Sequence, residues 1–215
     1  MDPSVIAIAA LPIILAITLH EAGHGYAARH FGDPTAWQEG RITANPLMHI
    51  DPVGTILVPA LILWVSGNSL LFGWAKPVPV NFGRLRHPKS DMLWVAAAGP
   101  AANLAMLFFW SALLKLTLLL PPSFFSQPMV LMAKFGISIN ITLMVLNLLP
   151  LPPLDGGRIA VSLLPRDAAW QFAKLERFGF PILLVLLFTG ILGSVLTPVT
   201  QLVEGLIEFL FQLPS

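Results

Sequence analysis

His20, Glu21 and His24 stand together in His20-Glu21-Ala22-Gly23-His24, the pattern H-E-x-x-H. On a helix, residues four apart share a face, with Cβ atoms about 5–6 Å apart. Two imidazoles at that spacing can grip one Zn²⁺, and the carboxylate between them can act as general base on a water at the metal. The chemistry this allows is hydrolysis. Five residues alone recur by chance in soluble proteins, so the surroundings decide. Here the three groups interrupt an otherwise apolar run, where a charged group costs at least ~2.5–3.5 kcal/mol on insertion scales and tends to mark a functional site. The plainer alternative is a solvated helix end just past the membrane edge. Gly23 and Gly25 count against it, because each glycine costs ~1 kcal/mol in a helix interior. Close approach of a peptide or a neighbouring helix would give them a reason.

Catalytic zinc takes three protein ligands and leaves one position for water. Candidates for the third are Glu39, His49, Asp51, Asp155 and the other histidines. Asp155 is the best placed. It follows an apolar helix in NLLPLPPLDGG at 147–157, so it lies at a helix end as the histidine pair does. Pro150, Pro152 and Pro153 break that helix, and Gly156 and Gly157 permit a tight turn. Irregular backbone at membrane depth is tolerated only where protein buries it or it lines a cavity. The spacing leaves open an ordinary turn Asp that caps the next segment.

The elements that must position these groups are membrane helices. Of 215 residues, 56% are hydrophobic and only 11% are charged, against about 25% charged in soluble domains. Mean hydropathy is +0.78, and the charge deficit runs along the whole chain, which predicts an all-α polytopic bundle rather than an anchored soluble domain. The net charge of +1 gives no reason to expect nucleic acid, and the absence of cysteine excludes disulfides and thiolate metal sites. The first twenty residues lack a basic n-region and a cleavage site, so they read as a retained helix rather than a signal peptide. With about 20 apolar residues needed per span, strong candidates are 4–28, 92–120 and 129–149, and weaker ones are 180–196 and 198–213. A break at Thr197-Pro198 would make the last two a hairpin. The stretch 55–72 is apolar but holds Pro59 and Gly67. The expected total is about five spans plus this re-entrant or interfacial segment, or six spans if it crosses. Alternation in 37–43 suggests a short strand or hairpin. No repeat or low-complexity tract divides the chain, so 1–215 reads as a single domain.

Both halves of the metal site must lie at one bilayer depth, so the first helix and 129–149 should run parallel. One full span between them, 92–120, fits, and a second at 55–72 does not. Lysine and arginine placement agrees. On the re-entrant arrangement one side receives Arg29, Arg41, Lys76, Arg84, Arg86, Lys89, Arg158, Arg166, Lys174 and Arg177, and the other only Lys115 and Lys134. The N-terminus is then outside and the metal site faces the cytoplasm of a multi-pass cell-membrane protein.

Four motifs in this order, HEAGH at 20–24, GRITANPLMHIDPVGT at 40–55, AGPAAN at 98–103 and NLLPLPPLDGG at 147–157, resemble the site-2 protease family of intramembrane zinc metalloproteases over most of the chain. The resemblance implies that His20, His24 and Asp155 hold one Zn²⁺ and that Glu21 is the catalytic base. It also implies that Asn147 faces the site and helps hold the substrate carbonyl or the oxyanion. Asn45, His49 and Asp51 fall in the family's loop motif, whose histidine is not a ligand, and read as structural or substrate-guiding. Gly99, Pro100 and Asn103 read as close helix packing, with Asn103 making an interhelical hydrogen bond. No PDZ-like insertion, nucleotide-sensing domain or preceding span is evident, so a compact form of the family is expected.

The reaction so implied is peptide-bond hydrolysis in membrane-spanning protein substrates, with the bilayer as the setting and the oligomeric state unspecified. The segments at 180–213 are expected to gate access. The rival reading is a zinc-binding membrane protein without protease activity, such as a transporter or an inactive scaffold. A transporter would want polar groups across the whole bilayer, whereas here they gather towards one side.

Overall fold

The computed structural model describes residues 3–65 and 73–214 and is all-helical across them. Helix α1 (Pro3–His30) is 28 residues long, α4 (Pro88–Leu119) 32 and α5 (Ser126–Asn147) 22. At 1.5 Å per residue they run about 42, 48 and 33 Å, each enough for a ~30 Å hydrocarbon core. With α9 (Ile191–Phe211), four helices are long and apolar enough to cross a membrane.

Small residues decide how α1, α4 and α5 meet. Ala16, Ala22 and Ala28 of α1 and Ala96 of α4 are buried, and a Cβ on Gly23 would lie 2.8 Å from the Ala98 carbonyl oxygen of α4. Backbones that approach this closely gain packing and interhelical hydrogen bonds, which hold helices together in lipid. The contacts also fix direction. Asn103 of α4 reaches the Ala16 carbonyl of α1, whereas Val95 reaches His24, so α4 is antiparallel to α1. Asn103 meets Asn140 of α5, while Trp110, further along α4, lies over the earlier Gly136. Helix α5 is therefore antiparallel to α4 and parallel to α1, as expected. Away from the metal-binding end, Leu107, Trp110 and Leu114 of α4 pack on Ile137 and Ile141 of α5 and Ile207 of α9.

Between α1 and α4 the described chain forms a cap of short elements. Helix α2 (Thr35–Gln38) is followed by 3-10 and π turns at Pro46–His49 and Pro52–Leu57, helix α3 (Val58–Val65) and an extended run at 73–81. Trp74 N–H donates to Gly54 O at 3.0 Å and Lys76 N–H to His49 O at 2.8 Å, which ties the run to the turns. The apolar helical stretch Pro52–Val65 spans about 20 Å, too short to cross. Residues 66–72 of the expected re-entrant segment lie outside the described residues.

Two expectations are corrected. Residues 37–43 are not a strand or hairpin. Asp33 Oδ1 accepts from Thr35 N–H at 3.0 Å and starts the helical turn that includes Trp37 and Gln38. Gly40, at φ 65°, then turns the chain away. The final pair of helices does not break at Thr197-Pro198. Pro198 lies inside α9, and the break is at Gly190, whose φ of 77° glycine adopts without penalty. The preceding helix α8 (Glu176–Phe188) has 13 residues, about 20 Å, so the expected span at 180–196 is a short helix. Helices α6 (Asp155–Leu163) and α7 (Arg166–Ala173) join α5 to α8.

Candidate metal centre

The H-E-x-x-H segment lies within α1, and its two imidazoles face inward, 7% and 9% exposed. The proline-rich turn after α5 brings Asp155, the first residue of α6, over them with 6% exposure. His20 Nε2 is 3.2 Å from Asp155 Oδ2, His24 Nε2 is 3.3 Å from Asp155 Oδ1, and the two Nε2 atoms are 3.2 Å apart. Among the described residues, His20, His24 and Asp155 form the cluster of metal-ligating side chains.

The other ring nitrogens fix what these atoms are. His24 Nδ1 is 2.7 Å from the Val95 carbonyl, which can only accept. His20 Nδ1 is 2.6 Å from Asn103 Oδ1. Asn103 is oriented by its amide, which donates to Ala16 O at 3.2 Å and to Asn140 Oδ1 at 2.9 Å. Asn140 is held in turn by its own donation to Gly136 O at 2.8 Å. Each imidazole therefore donates from Nδ1 and presents an Nε2 lone pair to its neighbour. Asp155 Oδ2 is buried and has no hydrogen-bond partner despite its nearness to His20, since both would bring lone pairs.

Three electron-pair donors crowded together repel one another unless a cation lies between them. A tetrahedral ion with bonds of about 2.0–2.1 Å places its ligands about 3.3 Å apart, which the separations above match. Two imidazoles and a carboxylate suit zinc, and carbonyl or amide partners on the far ring nitrogens are the usual support for ligating histidines. The residues present fit the ion. Gly99 of α4 completes the cradle, because a Cβ there would collide with His24 Nε2 and His20 Cε1.

Glu21 turns towards the cap. Its Oε2 accepts from the Val78 N–H at 2.8 Å, and among the described residues Oε1 accepts no hydrogen bond. The Asn147 amide donates to Leu143 O of its own helix at 3.0 Å, and among the described residues it makes no hydrogen bond to His20, His24 or Asp155. The remaining sequence candidates for a ligand stand apart from the cluster. Glu39 is exposed, Asp51 caps the turn at Val53 and Gly54, and His49 is buried against the Thr43 carbonyl. Asn45 caps the turn at Leu47. The interhelical hydrogen bond expected of Asn103 is present, but its partner on His20 was not foreseen and Asn140 was overlooked. The signal for both was a buried amide within an apolar helix, which needs a partner.

Comparison with known proteins points to zinc metalloproteases. Residues 123–190, which include Asp155, match peptidase family M50. The chain is 38% identical over 198 residues to "Putative zinc metalloprotease YwhC" of Bacillus subtilis, covering 87% of this chain and 83% of that one. It is 33% and 30% identical over 185 residues to proteins named "Putative zinc metalloprotease Rip2" in Mycolicibacterium smegmatis and Mycobacterium tuberculosis H37Rv, covering 84% of this chain and 66% of each. No solved structure matches the chain significantly.

Proposed function

Since the chain belongs to peptidase family M50, the site-2 protease family, we propose that this multi-pass membrane protein is a zinc endopeptidase that cuts membrane-spanning protein substrates in regulated intramembrane proteolysis. The observation that carries the reading is the convergence of His20, His24 and Asp155, each with an electron pair turned to a common point. A zinc ion held there supplies Lewis-acid activation of water and of the scissile carbonyl.

The chain's own groups do the rest. Glu21, next to His20 and with one carboxylate oxygen unused among the described residues, takes the proton of the attacking water and returns it to the leaving amine. Rotation of the Asn147 amide away from Leu143 would let it donate to the oxyanion. The Nδ1 partners keep both imidazoles in the ligating tautomer. A substrate helix must unwind locally, because helical amides are covered and hydrogen-bonded. The short α8 and the sparsely buried α9 form the gate through which it enters.

Ten of the twelve lysines and arginines lie in the cap, at the ends of α1 and α4 that meet it, or in the α6–α8 region, and by the positive-inside rule the metal-binding end is cytoplasmic in the cell membrane with the N-terminus outside. Residues 1–215 act as one catalytic domain. The test is Glu21→Gln. One zinc per chain should remain while cleavage disappears, and fragments of membrane-spanning proteins should accumulate in cells carrying the variant. Undiminished cleavage by Glu21→Gln would defeat the assignment.

A further inference from the structure

Arg41 is 6% exposed, an arginine buried beside a membrane bundle without a carboxylate partner among the described residues. Burial of a charge needs a compensating contact. Its Nη2 donates to the Lys76 carbonyl at 3.0 Å and to the Pro77 carbonyl at 3.2 Å. Pro77 O and Val78 N–H belong to one peptide unit. In a planar trans peptide the C=O and N–H point in opposite directions. A cation drawing the Pro77 oxygen to one side therefore aims the Val78 N–H to the other, where Glu21 Oε2 accepts it at 2.8 Å.

The arrangement has no substitute nearby. Residues 77 and 79 are prolines, so neither can offer an N–H in place of Val78. The segment belongs to no helix or sheet, so neither would fix its peptide planes. Lys76 N–H is already engaged by His49 O. Contact with α1 is close, since a Cβ on Gly25 would lie 2.8 Å from Ile42 Cγ1 and 3.2 Å from Val78 Cγ1. Both residues next to the clamp, Ile42 after Arg41 and Val78 after Pro77, therefore rest on the helix that carries Glu21.

We propose that Arg41 is a positioning residue for the reaction: it holds the Pro77–Val78 peptide so that the Val78 N–H fixes the Glu21 carboxylate beside the metal centre. The guanidinium also polarises the Pro77 carbonyl, which strengthens the N–H on the other side of the same peptide. Its role is separate from metal binding, because among the described residues His20, His24 and Asp155 make no hydrogen bond or ion pair with Arg41 or with residues 76–78.

The inference rests on Glu21 being the proton carrier. The test compares Arg41→Gln, Arg41→Lys and Glu21→Gln in the zinc-loaded full chain, reading zinc per chain, Tm, and kcat and KM on a fluorescein-labelled membrane-spanning peptide in detergent micelles. For Arg41→Gln we expect one zinc per chain, KM within about twofold and kcat lowered about tenfold to hundredfold, in the range a misplaced catalytic group gives. Arg41→Lys, whose ammonium can still donate to the two carbonyls, should recover part of the loss. An unchanged kcat, a rise in KM of the same size in its place, or loss of zinc would each overturn the proposal. If Arg41→Gln does not fold, Arg41→Lys decides: a lowered kcat at unchanged KM and zinc supports the proposal, and wild-type kcat rejects it. Full activity in Glu21→Gln would mean that the proton-carrier reading itself is wrong. An inactive Glu21→Gln beside an unaffected Arg41→Gln would leave that reading standing and reject this inference alone.

Discussion

At the scale of single residues, the centre depends on what lies behind each imidazole. His20 and His24 each commit Nδ1 to an acceptor and keep Nε2 free, and the acceptors are a side-chain amide and a main-chain carbonyl. The amide can be changed. Asn103→Ala should lower zinc affinity about 10–100-fold, the range seen when a ligand's supporting partner is removed, as measured by competition with a chromophoric chelator. It should also lower Tm, because Asn140 Oδ1 and Ala16 O lose their donor inside the bundle. Unchanged zinc affinity would mean that Asn103 serves helix packing alone. His20, Glu21 and His24 were legible in the sequence because they lie within five residues of one helix. Asn103 lies 83 residues from His20, and nothing in the spacing of either motif ties an amide to an imidazole across two helices. Asp155 stood between: its position at a helix end was readable, and its direction was not.

At the scale of elements, the imidazoles fit only because α4 presents no side chain where they stack. Gly99→Ala should therefore abolish stoichiometric zinc binding or unfold the site, whereas Gly193→Ala, where a Cβ would meet nothing within 4 Å, should bind zinc normally. Equal zinc content in the two variants would show that the cradle is not tight. Helices α8 and α9 carry a different expectation. A cysteine cross-link that fixes α9 to α1 should block cleavage while leaving zinc in place, and retained cleavage would remove the gate. Spans α1, α4 and α5 were readable from their length and apolarity. The break before α9 was not, because proline is tolerated inside a membrane helix while a left-handed glycine leaves little trace in hydropathy. The segment 37–43 misled for a related reason: alternation over a few residues cannot outweigh the Asp33–Thr35 hydrogen bond before it and the turn at Gly40.

At the scale of the whole molecule, the parallel run of α1 and α5 places H-E-x-x-H and Asp155 at one end, together with the cap and its basic residues. The chain has no cysteine, so single cysteines report on sidedness without background. Cysteine at Ser123, in the α4–α5 connection, should react with an impermeant maleimide from outside intact cells, and cysteine at Lys174 should react only after lysis. Both positions are exposed. The reverse pattern would invert the proposed orientation. Antiparallel packing of α1 against α4 and of α4 against α5 was legible from span counting. The use of the 40–55 motif as a hydrogen-bonded cap was not, because its contacts run to residues 74–78, across a long separation in sequence.

The central claim is that two α1 imidazoles and the α6 carboxylate hold one zinc ion. Zinc K-edge X-ray absorption on the purified wild type and on Asp155→Ala tests it directly. One zinc per chain with two imidazole nitrogens and carboxylate oxygen at about 2.0–2.1 Å is expected in the wild type, and loss of stoichiometric zinc in the variant. A wild-type zinc site without histidine ligation, or an unchanged first coordination shell and zinc content in Asp155→Ala, would contradict it.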